Sequence, residues 1–274
     1  MILCYHNVVR ESGGPGDPGL HLPLGRFREQ IAWLGRHFTL LPLAELHERA
    51  RRGGSMRGLA ALTFDDAYAG VLEHALPVLI AHDAPCTIFA TGVGSDAAAP
   101  FWWDHPSIAA ISEDATVRQL LLRDLQGDGA QILSHYGLER AALPVERLPV
   151  SWGRLREVAG ARVAIGAHTL THRALPTLSD DELERELRGS RDQVEQGVGH
   201  RPNAIAYPYG LSDARVHRAA ERAGFTLGLT LGARDVTPFT PPLETPRVNV
   251  PASLSPAAFS AWISGLSHLR ASRG

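Results

Sequence analysis

The chain of 274 residues contains no lysine, so its 27 Lys-plus-Arg positions are all arginine. Two chemistries leave with lysine: Schiff-base formation on an amine, and the phosphate-gripping lysine of a P-loop. Cysteine is almost absent. Cys4 and Cys86 each sit in an apolar run without metal or redox spacing, which predicts buried thiols in a reducing compartment. No stretch of about twenty apolar residues is present to span a membrane. No basic segment leads into an apolar run at the start, so no signal peptide is visible and a cytoplasmic location is expected. The absence of a Gly-x-Ser-x-Gly elbow argues against a serine hydrolase. A net charge of only −2 gives no electrostatic reason to expect nucleic acid or an anionic membrane surface.

What is present is ordinary for a soluble globular protein: 44% hydrophobic and 20% charged residues, in a length that suits one large domain or two average ones. Short apolar runs alternate with helical patterns. Ile2 to Tyr5, Leu59 to Phe64, Cys86 to Ala90, Arg162 to Gly166, Ala204 to Tyr207, Phe225 to Thr230 and Pro246 to Val250 read as strands. Between them, Phe27, Ile31, Leu34 and Phe38 recur at helical spacing, and Leu43 to Arg52 forms a second short helix. Tyr68 to His82 reads as a helix bent near Pro77. Ser179 to Glu182 is a capping box, and Ser212 and Ser255 start the last two helices. Residues 97–160 break the rhythm with Phe101-Trp102-Trp103, a helical stretch near Ile108 to Leu125 and a polar segment. They read as a mostly helical insertion in a single domain covering 1–274. About seven strands alternating with helices predict an α/β fold, a distorted or incomplete (β/α)7-type barrel, with an open doubly wound sheet as the alternative.

In either architecture reactive groups collect at the carboxyl ends of the strands, where Asp65 and Asp66, His168, Tyr207 to Gly210, His6 and Arg247 all fall. Adjacent carboxylates at a strand-to-loop junction can divide the work, one on a cation and one on protons. They can also cap the next helix. His168 and His172, four residues apart, are expected on one side of a helical turn. Two imidazoles and a carboxylate leave a fourth position open, the arrangement of catalytic rather than structural zinc.

Thr63-Phe64-Asp65-Asp66, His168-Thr169-Leu170-Thr171-His172 and Tyr207-Pro208-Tyr209-Gly210 resemble the three ordered motifs of the NodB-type polysaccharide deacetylases. Tyr5-His6 and Pro246-Arg247 are similar to a branch that includes bacterial poly-N-acetylglucosamine deacetylases. The resemblance implies that Asp66, His168 and His172 bind a divalent metal, most often zinc, with cobalt, nickel or manganese as alternatives. It implies that Asp65 is the base that takes a proton from water, and that the backbone N–H of Tyr209 holds the oxyanion of the attacked acetamide. The third motif's usual Arg, which holds the base, is Ala206 here, and the Gly after the Asp pair is Ala67. The family's late Leu-x-His has only Leu266-Ser267-His268 as a match, in an apparent terminal helix. We therefore assign Arg247 as the partner of Asp65 and His6 as general acid. Trp103 and Asp104 read either as a sugar platform or as the buried anchor of the insertion, and Tyr207 and Tyr209 as cleft walls.

The expected function is metal-dependent removal of an N-acetyl group from an amino sugar. A hydrolase of non-sugar C–N amides and a non-catalytic carbohydrate-binding relative are the alternatives. Nothing in the sequence bears on oligomeric state.

Overall fold

Apolar runs flanked by helices demand parallel partners, because crossover helices bury both faces of each strand. The computed structural model describes residues 1–92, 99–232 and 236–264. Its strands are β1 (Ile2–Tyr5), β2 (Asn7–Val9), β3 (His21–Pro23), β4 (Thr39–Leu40), β5 (Leu59–Phe64), β6 (Cys86–Ala90), β7 (Val163–Ala167), β8 (Ala204–Ala206), β9 (Leu227–Leu231) and β10 (Thr245–Asn249). Seven of them form a ring in the order β1-β10-β9-β8-β7-β6-β5, which β1 closes by pairing with β5 from Ile2↔Ala61 to Tyr5↔Phe64. That closing ladder rules out the open sheet and makes the fold a (β/α)7-type barrel. β4 extends β5 outside the ring, and β2 pairs with β3, two short strands that no sequence pattern marked.

α1 (Leu24–His37) buries Phe27, Ile31 and Leu34, the spacing seen in the sequence. α2 (Leu43–Arg51) packs Leu43, Leu46 and Ala50 against strand residues that include Ile2, Ala61, Ala204 and Leu227. After β5 a π-helical stretch, Val71–Ala75, runs into α3 (Leu76–Ala81). Pro77 is thus preceded by helical backbone, and the helix passes it with a change from π to α winding rather than starting there. No side chain caps the start of the Val71–Ala75 stretch, so the Asp pair is not a helix cap.

Between β6 and β7 lie α4 (Pro106–Ala109), α5 (Ala115–Gln119), α6 (Gly129–His135) and α7 (Trp152–Val158). The helix expected over Ile108 to Leu125 is broken at Asp114, whose carboxylate accepts from Thr116 N and Val117 N and so starts α5 afresh. α8 (Asp180–Val198) begins with the predicted capping box at Ser179. α9 (Ala214–Arg222) is capped by Asp213 rather than Ser212, and α10 (Pro256–Ile263) by Ser255.

Alternation along each strand sends every second residue into the barrel. Cys4, Thr63, Phe89 and Arg247 meet there, and Gly166 on β7 makes room for them. A Cβ on Gly166 would come within 2.4 Å of the Phe89 ring. Arg247 in turn rests its guanidinium 5.6 Å from the centroid of that ring.

Candidate active site and metal centre

Asp65 and Asp66 leave β5 in opposite roles because the backbone turns sharply between them. Asp65 continues the inward alternation of Ala61 and Thr63. Asp66 (φ 68°) and Ala67 (φ 54°) are both left-handed, and Ala67 occupies this conformation where the motif ordinarily has Gly. Both carboxylates are buried, at 3% and 2% exposure.

Asp65 is gripped by Arg247, with Nη1 to Oδ1 at 2.6 Å and Nη2 to Oδ2 at 2.7 Å. Nη1 also donates to Thr63 Oγ1 (3.1 Å), and Nε to the Thr230 carbonyl (3.4 Å). The Cys4 thiol donates to Asp65 Oδ2 at 3.4 Å. Burial pushes the Asp65 carboxyl up, and the Arg247 guanidinium overrides it, holding Asp65 well below the usual carboxylate range. Arg247 thus fills the place that Ala206 leaves vacant. Cys4, which the sequence marked only as a buried thiol, belongs to the same cluster.

The histidine pair stands on a loop, not on the helical turn expected from its spacing. Thr169 (φ 66°) and His172 (φ 57°) adopt left-handed backbone, which a β-branched residue such as Thr169 resists. The turn is held from outside by Glu186 of α8, whose carboxylate accepts from Leu170 N and Thr171 N at 2.9 Å each and from the Thr171 hydroxyl. Thr169 Oγ1 accepts from His172 N at 3.1 Å.

This loop brings three donor atoms together. His172 Nε2 lies 3.1 Å from His168 Nε2, and Asp66 Oδ1 lies 3.5 Å from His168 Nε2 and 3.3 Å from His172 Nε2. A tetrahedral centre with ligands at about 2.0–2.1 Å has ligand-to-ligand edges of about 3.3–3.4 Å. The three atoms therefore form one face of such a tetrahedron. Their chemistry agrees. Asp66 Oδ1 is buried without a hydrogen-bond partner. His168 Nδ1 donates to the Ala206 carbonyl at 2.8 Å, which leaves the lone pair of its neutral form on Nε2. Burial, with His168 beside it, pushes His172 down to about 3, so it is neutral and able to ligate at neutral pH. Two imidazoles and a carboxylate, with one vertex left over, fit a divalent cation.

The cleft above this face is lined by His6, Asp17, Trp103, Tyr209 and Leu231 among others. His6 follows β1 into the site, partly buried, with a ring nitrogen within 4.8 Å of Cys4 Sγ and a carboxylate oxygen of Asp65. That trio also offers three ligand atoms, but both Asp65 oxygens already accept from Arg247. Burial pushes His6 below its ordinary range, against the pull of Asp66 and Asp65. Tyr209 (φ 58°) sets its ring 4.7 Å from that of His172, and burial pushes its hydroxyl up.

Trp103 combines the two readings, buried and anchored through Tyr68 yet reaching the cleft lining. Asp104 and Tyr207 do not reach it. Asp104 is fully buried and spends its oxygens on His21 Nε2 (2.7 Å), Tyr68 Oη (2.6 Å) and Asp17 N (3.3 Å), so it is an anchor rather than a sugar contact. Tyr207 follows the inward Ala206 and therefore points out of the barrel, where its hydroxyl donates to the Leu243 carbonyl at 3.0 Å. Leu266, Ser267 and His268 lie outside the described residues. Sequence reasoning missed Arg118, Leu121 and Leu122, which the region between β6 and β7 contributes to the cleft. Their helical pattern carried no sign of which side faced the barrel mouth.

Known proteins share this fold. The Bacillus subtilis (strain 168) protein YxkH, named as a candidate polysaccharide deacetylase, is 22% identical over 267 residues, or 97% of this chain and 76% of that protein. The solved structure of Streptococcus pyogenes deacetylase PplD in complex with acetate superposes with a TM-score of 0.68 at 17% identity, covering 94% of this chain and 95% of that one. The structure of IcaB from Ammonifex degensii gives 0.66 at 20% identity, covering 97% and 94%. At these identities the structural likeness establishes the barrel. The family profile for polysaccharide deacetylase matches residues 53–228, which takes in the Asp pair, the histidine loop and Tyr209, and the chain belongs to the polysaccharide deacetylase family.

Proposed function

We propose that the protein is a divalent-metal-dependent hydrolase that removes the N-acetyl group from an amino sugar, with zinc as the metal. The observation that carries this is the triangle of Asp66 Oδ1, His168 Nε2 and His172 Nε2, with edges of 3.1–3.5 Å, beside a second carboxylate held ionised. A divalent cation held there supplies Lewis acidity, bringing the acidity of water toward neutral pH.

The chain's own groups divide the rest. Asp65, fixed by Arg247, accepts the proton of the attacking water. Its basicity is low, but its two oxygens are oriented and ionised at any working pH. The backbone N–H of Tyr209 holds the oxyanion that forms as water adds to the acetamide carbonyl. Burial leaves His6 neutral at rest, so the proton it delivers is the one Asp65 takes from water: His6 accepts it and passes it to the nitrogen as the C–N bond breaks, and acetate and a free amine leave. Trp103 and Tyr209 supply aromatic wall for a sugar ring, which favours the amino sugar over a small linear amide.

The test is acetate release by metal-stripped protein reconstituted with zinc, across N-acetylhexosamine monomers, oligomers and conjugates. Release from at least one of them is expected. With zinc demonstrably bound, no release from any member refutes the reading. A loss of less than twofold in His6→Ala refutes the acid assignment, since a general acid contributes about 10²-fold or more.

A further inference from the structure

We propose that Asp104 and Tyr68 act through Trp103 as positioning residues for the metal ligand His172, taking the place of the hydrogen bond that a ligating histidine ordinarily makes. The inference rests on the assignment of Asp66, His168 and His172 as ligands.

The two histidines differ on the side away from the metal face. His168 is oriented in the usual way, by Nδ1 donating to a carbonyl oxygen. His172 Nδ1 is buried and has no hydrogen-bond partner. Its ring is held instead by the aromatic rings around it. The Trp103 centroid lies 4.5 Å away at 46°, Tyr209 4.7 Å away at 80°, and His168 itself 4.7 Å away at 72°. An imidazole without a hydrogen-bonded outer partner is only as well aimed as the rings around it.

Trp103 is in turn fixed by a buried polar chain. Its Nε1 donates to Tyr68 Oη at 2.8 Å, and Tyr68 Oη donates to Asp104 Oδ2 at 2.6 Å. Asp104 Oδ1 accepts from His21 Nε2, and His21 Nδ1 accepts from Asn7 Nδ2 at 3.0 Å. The tautomer follows from the chain, because Asn7 Nδ2 is a donor that also serves the Glu146 carbonyl. Phe101 stacks on Trp103, with centroids 4.5 Å apart and planes within 8°. The backbone is tailored to this cluster as well: a Cβ on Gly16 would come within 2.5 Å of Asp104 Oδ1 and 2.8 Å of His21 Nε2. Tyr68 lies two residues after Asp66, and Trp103 lies between β6 and β7. The chain therefore ties one ligand's own segment to the wall that aims another ligand.

The experiment measures zinc dissociation constants by competition with a chromophoric chelator at fixed pH. Tyr68→Phe keeps the ring but removes the hydroxyl that links Trp103 to Asp104, and it is expected to weaken zinc binding about tenfold, the low end for outer-partner substitutions. Asp104→Asn moves the constant in the same direction. Tyr5→Phe removes another buried hydroxyl, one without a hydrogen-bond partner, and leaves zinc binding unchanged. Trp103→Phe keeps an aromatic face but severs the link. Adding Tyr68→Phe to it then produces no further loss. Zinc affinity within twofold of the unaltered protein in Tyr68→Phe, or fully additive losses in the double variant, overturns the inference. Absence of zinc binding by the unaltered protein refutes the proposed function together with it. Equal binding by every variant refutes the inference alone.

Discussion

Arg247 is the residue whose removal the structure prices most clearly. Its guanidinium is completely buried and directs two short bonds onto Asp65, a third onto Thr63 Oγ1 and a fourth onto the Thr230 carbonyl. Arg247→Met keeps an unbranched side chain against Phe89 but strands a buried carboxylate whose remaining side-chain donor, among the described residues, is the Cys4 thiol. Breaking a buried pair from one side costs about 3–5 kcal/mol, within the roughly 5–15 kcal/mol that holds a domain folded. Asp65→Asn strands the guanidinium instead and carries a cost of the same order. The double variant Arg247→Met/Asp65→Asn buries no charge and leaves only an imperfectly bonded amide, about 1–3 kcal/mol. The two substitutions together should therefore cost less than either alone. Urea unfolding followed by tryptophan fluorescence reads all four proteins. A cost below about 1 kcal/mol for Arg247→Met, the level of a surface pair, refutes the reasoning, as does a double variant whose cost equals the sum of the singles.

Three further outcomes follow from the same packing. Both thiols are buried, and burial pushes Cys86 up to about 12, so neither should react with a thiol reagent at pH 8 until denaturant unfolds the chain; labelling of the folded protein contradicts this. Glu186→Ala strands two backbone N–H groups of the histidine loop, at about 1–3 kcal/mol each, and should weaken zinc binding about 10–100-fold; unchanged zinc affinity separates the loop from the metal face. Gly166→Ala forces a methyl group into the Phe89 ring and should cost about 1–3 kcal/mol in urea unfolding.

The strand rhythm made the barrel legible, because apolar runs alternating with helices allow few other parallel arrangements. The candidate metal triad was legible because Asp66, His168 and His172 sit at strand ends in recognisable motifs. What escaped was whatever depended on side-chain direction across the barrel. Cys4 reaches Asp65 only because β1 and β5 are paired in register, with Cys4 opposite Thr63. Glu186 looks like any surface carboxylate of a charged helix until the loop folds onto it. The shape of that loop was also hidden: a four-residue spacing suggests a helical turn, whereas Thr169 and His172 are left-handed. Tyr207 could have been placed correctly by parity alone, since it follows an inward Ala206. Asp104 could not, because its partners His21 and Tyr68 come from distant segments.

The central claim is that adjacent carboxylates do different jobs, Asp66 on the metal and Asp65 on the proton. The most direct measurement is zinc stoichiometry in Asp65→Asn and Asp66→Asn, alongside acetate release from the substrate on which the unaltered protein acts. The account predicts one zinc per chain in Asp65→Asn with turnover reduced about 10²-fold or more, and no retained zinc in Asp66→Asn. Equal loss of zinc in both variants, or full turnover by Asp65→Asn, contradicts it.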